Sequence, residues 1–273
     1  MTDRVLVTGG GSGLGRAIAA RFAGAGHRVL VSDVDGDAAA RAARETGASA
    51  IALDVTSDDD WASARDWCER EWGGVDVLVN NAGVGAGGRF EKIGMADWDW
   101  IWEINLKGVV RGCRTFVPDF KARGSGHLVN VASLAGIMNL PAMSSYNVTK
   151  AAVISLSDTL RLELEPYGVH TTVVCPAFVR TNLGDRLRSP DPALATMMDR
   201  LMTSSTITAD DVADQVVDAV ARNRFLVLTH PEGRRSALGK RLGLTDRQVR
   251  GYWARLRARV ERTDDDTAEE GDR

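Results

Sequence analysis

The chain has 273 residues, of which 44% are hydrophobic and 26% charged, an ordinary balance for a globular protein and enough for one α/β domain with a large core. Its net charge of −3 gives the whole molecule no electrostatic basis for binding nucleic acid. The three cysteines and four histidines are widely spaced without a Cys-x-x-Cys pair, which predicts neither a metal site nor a disulfide framework.

The N-terminus shows no targeting or membrane segment. The opening MTDRVLVTGG carries a charge by residue 3 and lacks the apolar run of a signal peptide. No window of about 18 uncharged apolar residues occurs, so we expect no transmembrane helix. Reduced thiols are typical of the cytoplasm, and we expect a cytoplasmic protein.

Short β-branched runs alternate with longer amphipathic segments along the first 230 residues. The runs are RVLVT (4–8), RVLVSD (28–33), SAIALD (49–54), VDVLVNN (75–81), HLVNVAS (127–133), VHTTVVC (169–175) and RFLVLT (224–229). Their continuous Val/Leu/Ile character predicts strands buried on both faces, as in a parallel sheet. Helical segments such as 14–26 and 59–73 separate them. The alternation predicts one α/β domain over 1–231, a doubly wound Rossmann fold with about seven strands and helices on both faces.

The composition changes after residue 231. Residues 232–262 hold ten basic side chains against three acidic ones, and 263–273 hold six acidic against one basic. The stretch 245–260 has a Thr-x-x-Gln capping box and one apolar stripe, which predicts an amphipathic helix, whereas the acidic tail predicts disorder. We favour packing of the stripe on the domain or on a partner subunit. Docking of 245–262 on an anionic membrane surface or a coenzyme A-like substrate is the alternative.

The stretch VLVTGGGSGLGRAIAARF (5–22) reads as strand, glycine turn and helix. Gly9 can adopt the φ of a tight turn, Gly13 lets a backbone approach a pyrophosphate, and Gly15 lets the helix pack close to the strand. Free N–H groups at the helix start would bind the phosphates, and we count Ser12 and Leu14 among the cofactor contacts. A glycine turn without a ligand is the alternative, but the order of the elements favours a dinucleotide.

A carboxylate closes the second predicted strand. Asp33 lies where it would accept hydrogen bonds from an adenosine ribose, and a 2′-phosphate there would meet like charge. Ser12 is not basic, and no arginine follows Asp33 directly. These features favour NAD over NADP, which stays as the alternative, as does a plain turn role for Asp33.

Several motifs together resemble the short-chain dehydrogenase/reductase family over roughly residues 4–230. TGGGSGLG (8–15) matches its Thr-Gly-x-x-x-Gly-x-Gly turn, NNAG (80–83) its fourth-strand motif, and YNVTK (146–150) its Tyr-x-x-x-Lys, with Ser133 standing 13 residues before the tyrosine. Asn105, in WEINLKG, stands where the family keeps a catalytic asparagine. The motifs occur in the family's order and at its separations.

The chemistry of a tyrosine–lysine pair explains these residue types. Positions i and i+4 are neighbours on a helix, so Lys150 is expected to lower the pKa of Tyr146 from its usual value of about 10. Tyr146 could then exchange a proton with a substrate hydroxyl as hydride moves at the same carbon. Ser133 would hydrogen-bond the reacting oxygen. Packing roles for these side chains are the alternative.

The resemblance implies further roles. Lys150 would also hold the nicotinamide ribose, and Asn105 a water that links Lys150 to solvent. Residues that would contact the cofactor are Asp54 and Val55 at the adenine, Asn81 and Gly83 at the adenosine ribose, and Val179 and Thr181 near the carboxamide. The last two belong to PAFVRT (176–181), where Ala177 replaces the family's glycine. An ordinary loop is the alternative for this stretch.

Three segments are expected to wall the substrate pocket: 84–90, 134–143 and 178–202. They are rich in Leu, Ile, Met, Phe and Ala and offer no arginine pair for a phosphate, which predicts an apolar secondary alcohol or ketone. The last segment is interrupted by Pro190 and Pro192 and is a candidate closing element. Met197, Met198, Leu201 and Met202 have helical spacing and could instead belong to the core.

The sequence thus predicts an NAD-dependent oxidoreductase of small-molecule alcohols or ketones. Two alternatives remain: an NADPH-dependent ketoreductase, including one for carrier-bound acyl groups, and a dinucleotide-binding sensor without catalysis. The resemblance also implies a homo-oligomer, a dimer or tetramer.

Overall fold

The computed structural model describes residues 3–179, 187–192 and 204–230, and individual residues at 194, 196, 233, 235, 239, 240, 250, 251, 253, 254 and 257. Within these residues seven parallel strands form one sheet in the order β3-β2-β1-β4-β5-β6-β7. The strands are β1 (Arg4–Thr8), β2 (Arg28–Asp33), β3 (Ser49–Ala52), β4 (Val77–Asn80), β5 (Gly126–Val131), β6 (Val169–Cys175) and β7 (Leu226–Leu228). The predicted parallel α/β sheet is confirmed.

Helices connect the strands. They are α1 (Gly13–Gly24), α2 (Gly36–Thr46), α3 (Asp58–Trp72), α4 (Met95–Trp102), α5 (Gly108–Arg123), α6 (Ala135–Met138), α7 (Ser144–Leu164) and α8 (Ala209–Ala221). A π-helix, Glu103–Lys107, joins α4 to α5, and 3₁₀ turns occur at Phe90–Lys92 and Glu165–Tyr167. No helix formed by the described residues is long and apolar enough to cross a membrane.

Two apolar layers cover the two faces of the sheet. Side chains alternate along a strand, so Val5 and Val7 of β1 point to one face and Leu6 to the other. The first layer contains Phe22 of α1 and the buried valines of α8, and the second contains Trp61 of α3 and the phenylalanines of α5. Helices therefore lie on both faces, as the strand–helix alternation predicts.

Helix starts are marked by side-chain caps. Asp35 accepts a hydrogen bond from the Ala38 N–H at the start of α2, and Ser57 caps α3 in the same way. Thr208 and Asp211 form a reciprocal capping box at the start of α8. These caps fix where each helix begins after its strand.

The strand order reverses beside β1. This strand pairs with β2 on one side and β4 on the other, so the connections from β1 and β4 leave toward opposite faces. A crevice opens at the carboxyl ends of parallel strands at such a point, and it is the usual ligand position in this architecture.

The C-terminal extension is described only in part. Of the predicted helix at 245–260, residues 250, 251, 253, 254 and 257 are described and are helical. The capping box at 245–248 and the tail at 263–273 lie outside the described residues. The division into 1–231, 232–262 and 263–273 stays a prediction.

Candidate active site

One cavity of about 1010 Å³ lies at the carboxyl ends of the strands. Its walls include the glycine turn after β1, the Asp33 end of β2, the segment after β4, and Ser133 after β5. Tyr146 and Lys150 of α7 line the same cavity. The volume lies at the upper end of the usual range for ligand pockets.

The glycine turn needs its small residues. Gly9 and Gly13 have φ of +61° and +51°, values that side chains disfavour. A Cβ at Gly15 would lie 2.2 Å from the carbonyl oxygen of Gly9. Ser12, the residue before α1, makes no side-chain cap, so the first N–H groups of the helix have no such partner. Ser12, Gly13, Leu14 and Gly15 all line the cavity, as predicted.

Asp33 binds the glycine turn to the end of β2. Its Oδ2 accepts the Gly11 N–H at 3.0 Å, and its Oδ1 accepts the Asp35 N–H at 3.1 Å. The side chain is buried and lines the cavity. Each carboxylate oxygen has capacity for a further hydrogen bond.

The segment after β4 packs against the turn. Asn81 donates from Nδ2 to the carbonyl oxygens of Thr8 at 2.9 Å and Gly9 at 3.2 Å. A Cβ at Gly83 would lie 3.1 Å from Asn105 Oδ1 and 3.5 Å from Lys150 Nζ. Gly83 therefore allows the chain to pass close to both polar side chains.

Asp54 and Val55 follow β3 and line the same cavity. The Asp54 Oδ1 accepts from both the N–H and the hydroxyl of Thr56 at 2.8 Å. The Val55 carbonyl accepts the indole N–H of Trp61 at 3.1 Å. These contacts fix the backbone at the carboxyl end of β3.

A phenol, an ammonium and a hydroxyl meet in the cavity. Tyr146 is 8% exposed, Lys150 4% and Ser133 8%. Lys150 Nζ donates to the Val131 carbonyl at 3.0 Å and lies 5.7 Å from the centre of the Tyr146 ring. The Ser133 Oγ accepts the Ala135 N–H at 3.1 Å, and the Ser133 side chain lies close enough to Tyr146 to lower the pKa of the phenol. The structure therefore brings the three predicted residues together.

Burial dominates the electrostatics of this group. It raises the pKa of Tyr146, and the interaction with the Ser133 side chain opposes that rise. Burial also lowers the pKa of Lys150 to about 8. In the protein alone the pKa of Tyr146 is therefore raised, whereas the sequence analysis expected Lys150 to lower it, and burial is the largest cause.

Asn105 lies fully buried in the π-helix Glu103–Lys107. Its Oδ1 accepts the Val84 N–H at 2.8 Å, and its Nδ2 donates to the Val84 carbonyl at 2.9 Å. π-Helices are rare and often occur at functional sites. Val84 lines the cavity and Asn105 does not. The side chain of Asn105 therefore holds the backbone of a wall residue without itself facing the cavity.

The wall near Tyr146 is apolar. The predicted segments contribute Val84, Leu134, Met138, Leu140, Met143, Phe178 and Leu187. Val179, another predicted contact, also lines the cavity, whereas Thr181 and the methionines at 197, 198 and 202 lie outside the described residues, as does Leu201. All three segments therefore contribute described residues to the cavity, and their role in binding substrate stays a prediction.

The described end of the predicted closing element is attached to the loop after β4. Ala86 and Arg188 form a parallel bridge. The Gly87 N–H donates to the Arg188 carbonyl at 3.1 Å, and the Arg188 N–H donates to the Gly85 carbonyl at 3.2 Å. This attachment holds Leu187 in the cavity wall.

A buried ion pair strengthens the attachment. Asp191, with a side chain 2% exposed, accepts the Arg89 N–H at 2.7 Å and two guanidinium hydrogen bonds at 2.7 and 3.1 Å. Lys92 Nζ lies 3.4 Å from the same carboxylate. Burial opposes ionisation of Asp191, but these cations hold its pKa below the usual value.

Comparison with known proteins decides the family. The short chain dehydrogenase family model matches residues 3–192, which is more than half of the chain. The chain belongs to the short-chain dehydrogenase family. The resemblance carried by the glycine turn, NNAG and Tyr-x-x-x-Lys is thereby confirmed.

Relatives in the short-chain dehydrogenase family support this assignment. The probable oxidoreductase EphD of Mycobacterium tuberculosis is 36% identical over 242 residues, which are 84% of this chain and 41% of EphD. The chain thus spans less than half the length of EphD. A 3-alpha-(or 20-beta)-hydroxysteroid dehydrogenase of the same organism is 34% identical over 182 residues, 66% of this chain and 70% of that enzyme.

Solved structures of family members hold both kinds of nicotinamide cofactor. A Burkholderia phymatum short-chain dehydrogenase in complex with NAD is 35% identical, with a TM-score of 0.82 over 86% of this chain and 92% of that one. A Sphingobium yanoikuyae short-chain dehydrogenase in complex with NADPH is 30% identical, with a TM-score of 0.72 over 89% and 95%.

Some residues lining this family member's cavity were missed by the sequence analysis. Trp100, Glu103 and Ile104 of the α4 region face the cavity, as do Ala38 and Arg41 of α2. The i, i+4 spacing of Trp100 and Ile104 was an available signal. For α2, the only clue was its position directly after Asp33.

Metal and thiol chemistry find no support in the described part of the chain. Its His, Cys, Asp and Glu residues form no group of three or more that could hold a metal ion. Cys68, Cys113 and Cys175 are free and buried, and burial raises the pKa of each thiol to about 12. Such thiols are unreactive near neutral pH.

Proposed function

We propose that this chain transfers a hydride between NAD and an apolar secondary alcohol or ketone, with Tyr146 as the acid and base. The observation that carries the proposal is the convergence of Tyr146, Ser133 and Lys150 on a cavity that the glycine turn and Asp33 also line. Burying a phenol, a hydroxyl and an ammonium costs free energy that apolar side chains would avoid, so their burial in one cleft indicates chemistry.

The part of the cavity lined by the glycine turn and Asp33 fits a dinucleotide. The uncapped start of α1 offers N–H donors to a pyrophosphate. Gly15 and Gly83 have no side chains, which lets the glycine turn and the segment after β4 pack closely beside this part of the cavity. When bound, the nicotinamide ring supplies the hydride acceptor or donor. The remaining contacts that we propose are Asp54 and Val55 at the adenine, Asn81 and Gly83 at the adenosine ribose, and Val179 and Thr181 at the carboxamide.

Tyr146 donates and accepts the proton in the proposed reaction. Its raised pKa keeps the phenol protonated at neutral pH in the protein alone, which is the state that a proton donor to a carbonyl substrate needs. In the reverse direction the phenolate would accept the proton of the substrate hydroxyl. Ser133, which lines the cavity with Tyr146, would hydrogen-bond the same substrate oxygen.

Lys150 and Asn105 support this proton transfer. With a pKa of about 8, Lys150 is mostly charged at neutral pH, and we assign it the nicotinamide ribose hydroxyls and stabilisation of the phenolate. Asn105 fixes Val84, and through it Gly83, beside the ammonium. A water held near Asn105 would connect Lys150 to solvent.

The cofactor preference rests on Asp33. Its buried carboxylate faces the cavity beside Asp35, so a 2′-phosphate would meet two like charges. Arg41, which also lines this part, lies 3.9 Å from Asp35 and is paired with it. The favoured cofactor is therefore NAD. NADPH-dependent ketone reduction is the second candidate, because one similar structure holds NADPH.

The apolar wall supports the substrate class. Trp100, Met138, Leu140, Met143 and Leu187 face the cavity, and Tyr146 packs in the apolar cluster that contains Met143. An alcohol with few polar groups would bury its surface there without leaving hydroxyls unpaired. A hydroxysteroid, the substrate type in the name of one relative, has this character.

The test is a spectrophotometric screen of apolar alcohols, ketones and polyols with both cofactors. We expect NADH formation from apolar secondary alcohols and faster turnover with NAD than with NADP. Activity confined to polyols would refute the substrate class, and faster turnover with NADP would refute the role of Asp33. Binding of NAD without turnover of any alcohol or ketone would favour a sensor.

We also propose a cytoplasmic homo-oligomer, either a dimer or a tetramer, without nucleic-acid partners. The C-terminal extension would pack on the domain or on a partner subunit, and contact of 245–262 with a membrane surface is the less favoured arrangement. Light scattering of the purified chain tests the oligomer, and a monomer at all concentrations would refute it.

A further inference from the structure

A histidine beyond the last strand holds the segment that follows β6. His230 is partly buried, and its Nδ1 lies 3.4 Å from the backbone N of Ala177. Its Nε2 lies 3.2 Å from the carbonyl oxygen of Phe178, which also accepts the Ser205 hydroxyl at 2.6 Å. One imidazole therefore bridges two consecutive residues that are distant from it in sequence.

The two backbone partners assign the tautomer. The Ala177 N–H can only donate and the Phe178 carbonyl can only accept, so Nδ1 is the acceptor and Nε2 carries the hydrogen. The Thr229 hydroxyl lies 2.8 Å from the same Nδ1. A neutral imidazole satisfies both backbone groups, one with each ring nitrogen.

The segment that His230 holds is bonded directly to Ser133. The Ser133 hydroxyl donates to the Pro176 carbonyl at 3.2 Å, and Pro176, Ala177 and Phe178 all line the cavity. A shift of this segment would move the cavity wall and the hydrogen-bond partner of Ser133 together. Ala177 is also where the sequence departs from the family's glycine, so the imidazole holds the wall at its unusual residue.

We propose that His230 is a positioning residue for the nicotinamide end of the cavity. By bridging Ala177 and Phe178, it fixes the cavity wall that Ser133 contacts through the Pro176 carbonyl. The inference rests on the proposed function, which puts the nicotinamide ring near Tyr146. Asp33, at the adenosine part, takes its hydrogen bonds from Gly11 and Asp35 instead, so it does not depend on this bridge.

The test separates the two parts of the cofactor. His230→Phe keeps a ring without either polar atom, His230→Asn can restore the Ala177 contact, and His230→Gln can restore the Phe178 contact. His170→Phe is the control, because His170 is exposed near the start of β6. Affinities for NADH and for ADP-ribose, which lacks the nicotinamide, are measured by calorimetry, with kcat, KM and the melting temperature.

We expect His230→Phe to bind ADP-ribose as the wild type does, to bind NADH more weakly, and to lose about ten- to hundredfold in kcat/KM. The NADH affinity and kcat/KM of His230→Asn and His230→Gln should lie between those of His230→Phe and the wild type. His170→Phe should match the wild type in both. Unchanged NADH binding and kinetics in His230→Phe would overturn the inference, as would equal losses for both ligands. A wild-type chain that binds neither NADH nor NADPH would instead overturn the proposed function.

Discussion

At the residue scale, burial and neighbouring polar groups together determine the pKa values of the side chains in the site. Tyr146 and Lys150 are both buried, and burial favours the neutral form of each. It therefore raises the pKa of the phenol and lowers the pKa of the ammonium. The Ser133 side chain lowers the pKa of the phenol and so acts against the effect of burial. Ser133 therefore influences the pKa of Tyr146, and we propose that it also contacts the substrate.

Replacing this serine should affect turnover specifically. In Ser133→Ala we expect kcat to fall about a hundredfold, because one donor to the reacting oxygen is lost, while NADH affinity changes little. Ser145→Ala is the matched control, since its buried hydroxyl is one helical position from Tyr146 and has no hydrogen-bond partner. Steady-state kinetics of both variants check this. Equal kcat values in the two would contradict the role of Ser133.

At the element scale, the strands were predictable and the loops that complete the site were not. Runs buried on both faces carry a continuous apolar signal, so β1, β2 and β6 match their predicted bounds. The π-helix at Glu103–Lys107 leaves no such signal, because its residues differ from an ordinary helix only in hydrogen bonding. Sequence reasoning placed Asn105 through its motif but not its partner, Val84.

Long-range contacts between loops also escaped the sequence. Asp191 pairs with Arg89 across 102 positions and His230 with Ala177 across 53, and no spacing rule connects such residues. The raised pKa of Tyr146 was missed for a related reason, since desolvation depends on packing that a motif does not encode. The glycine turn, Asp33 and the Tyr-x-x-x-Lys pair could be found because each lies within one or two elements.

The ion pair of Asp191 and Arg89 predicts an effect on stability and on substrate binding. Asp191→Asn removes the buried carboxylate that pairs with Arg89, whose side chain is only 14% exposed, and we expect this to cost about 3 kcal/mol of unfolding free energy. The KM for the alcohol should rise because Leu187 is held by the same segment. Asp158→Asn, which breaks an exposed pair with Arg161, is the control and should cost about 1 kcal/mol or less.

The same pair predicts a pH dependence. The pKa of Asp191 is lowered in the folded protein, so its contribution is present above the unfolded pKa of about 4 and is lost as pH falls through the folded pKa. The free energies of unfolding of the wild type and of Asp191→Asn, measured with denaturant at a series of pH values, should become equal only below a pH of about 4. A gap that stays constant down to the lowest pH would contradict the assignment.

At the scale of the whole molecule, every predicted site residue that the structure describes, except Asn105, lines one cavity at the carboxyl ends of the strands. Parallel strands make this possible because all their carboxyl ends point the same way. The residues after 231 are the part that this architecture does not require. Their basic and acidic blocks differ in composition from residues 1–231, and we predict that they form a separate unit.

Deleting residues 240–273 tests the role of this extension. If its apolar stripe packs on a partner subunit, the truncated chain should form a smaller oligomer, and neither form should bind anionic liposomes. Light scattering and liposome sedimentation of both chains measure this. An unchanged oligomer together with lost liposome binding would reject the packing role.

The most direct test of Tyr146 as the acid and base is to measure hydride transfer by the variant Tyr146→Phe. This variant removes one oxygen from a buried ring, so folding and NADH affinity should match the wild type, while cofactor-linked turnover of the best alcohol falls by orders of magnitude. Turnover close to wild type, with NADH still bound, would show that the proton passes through another group.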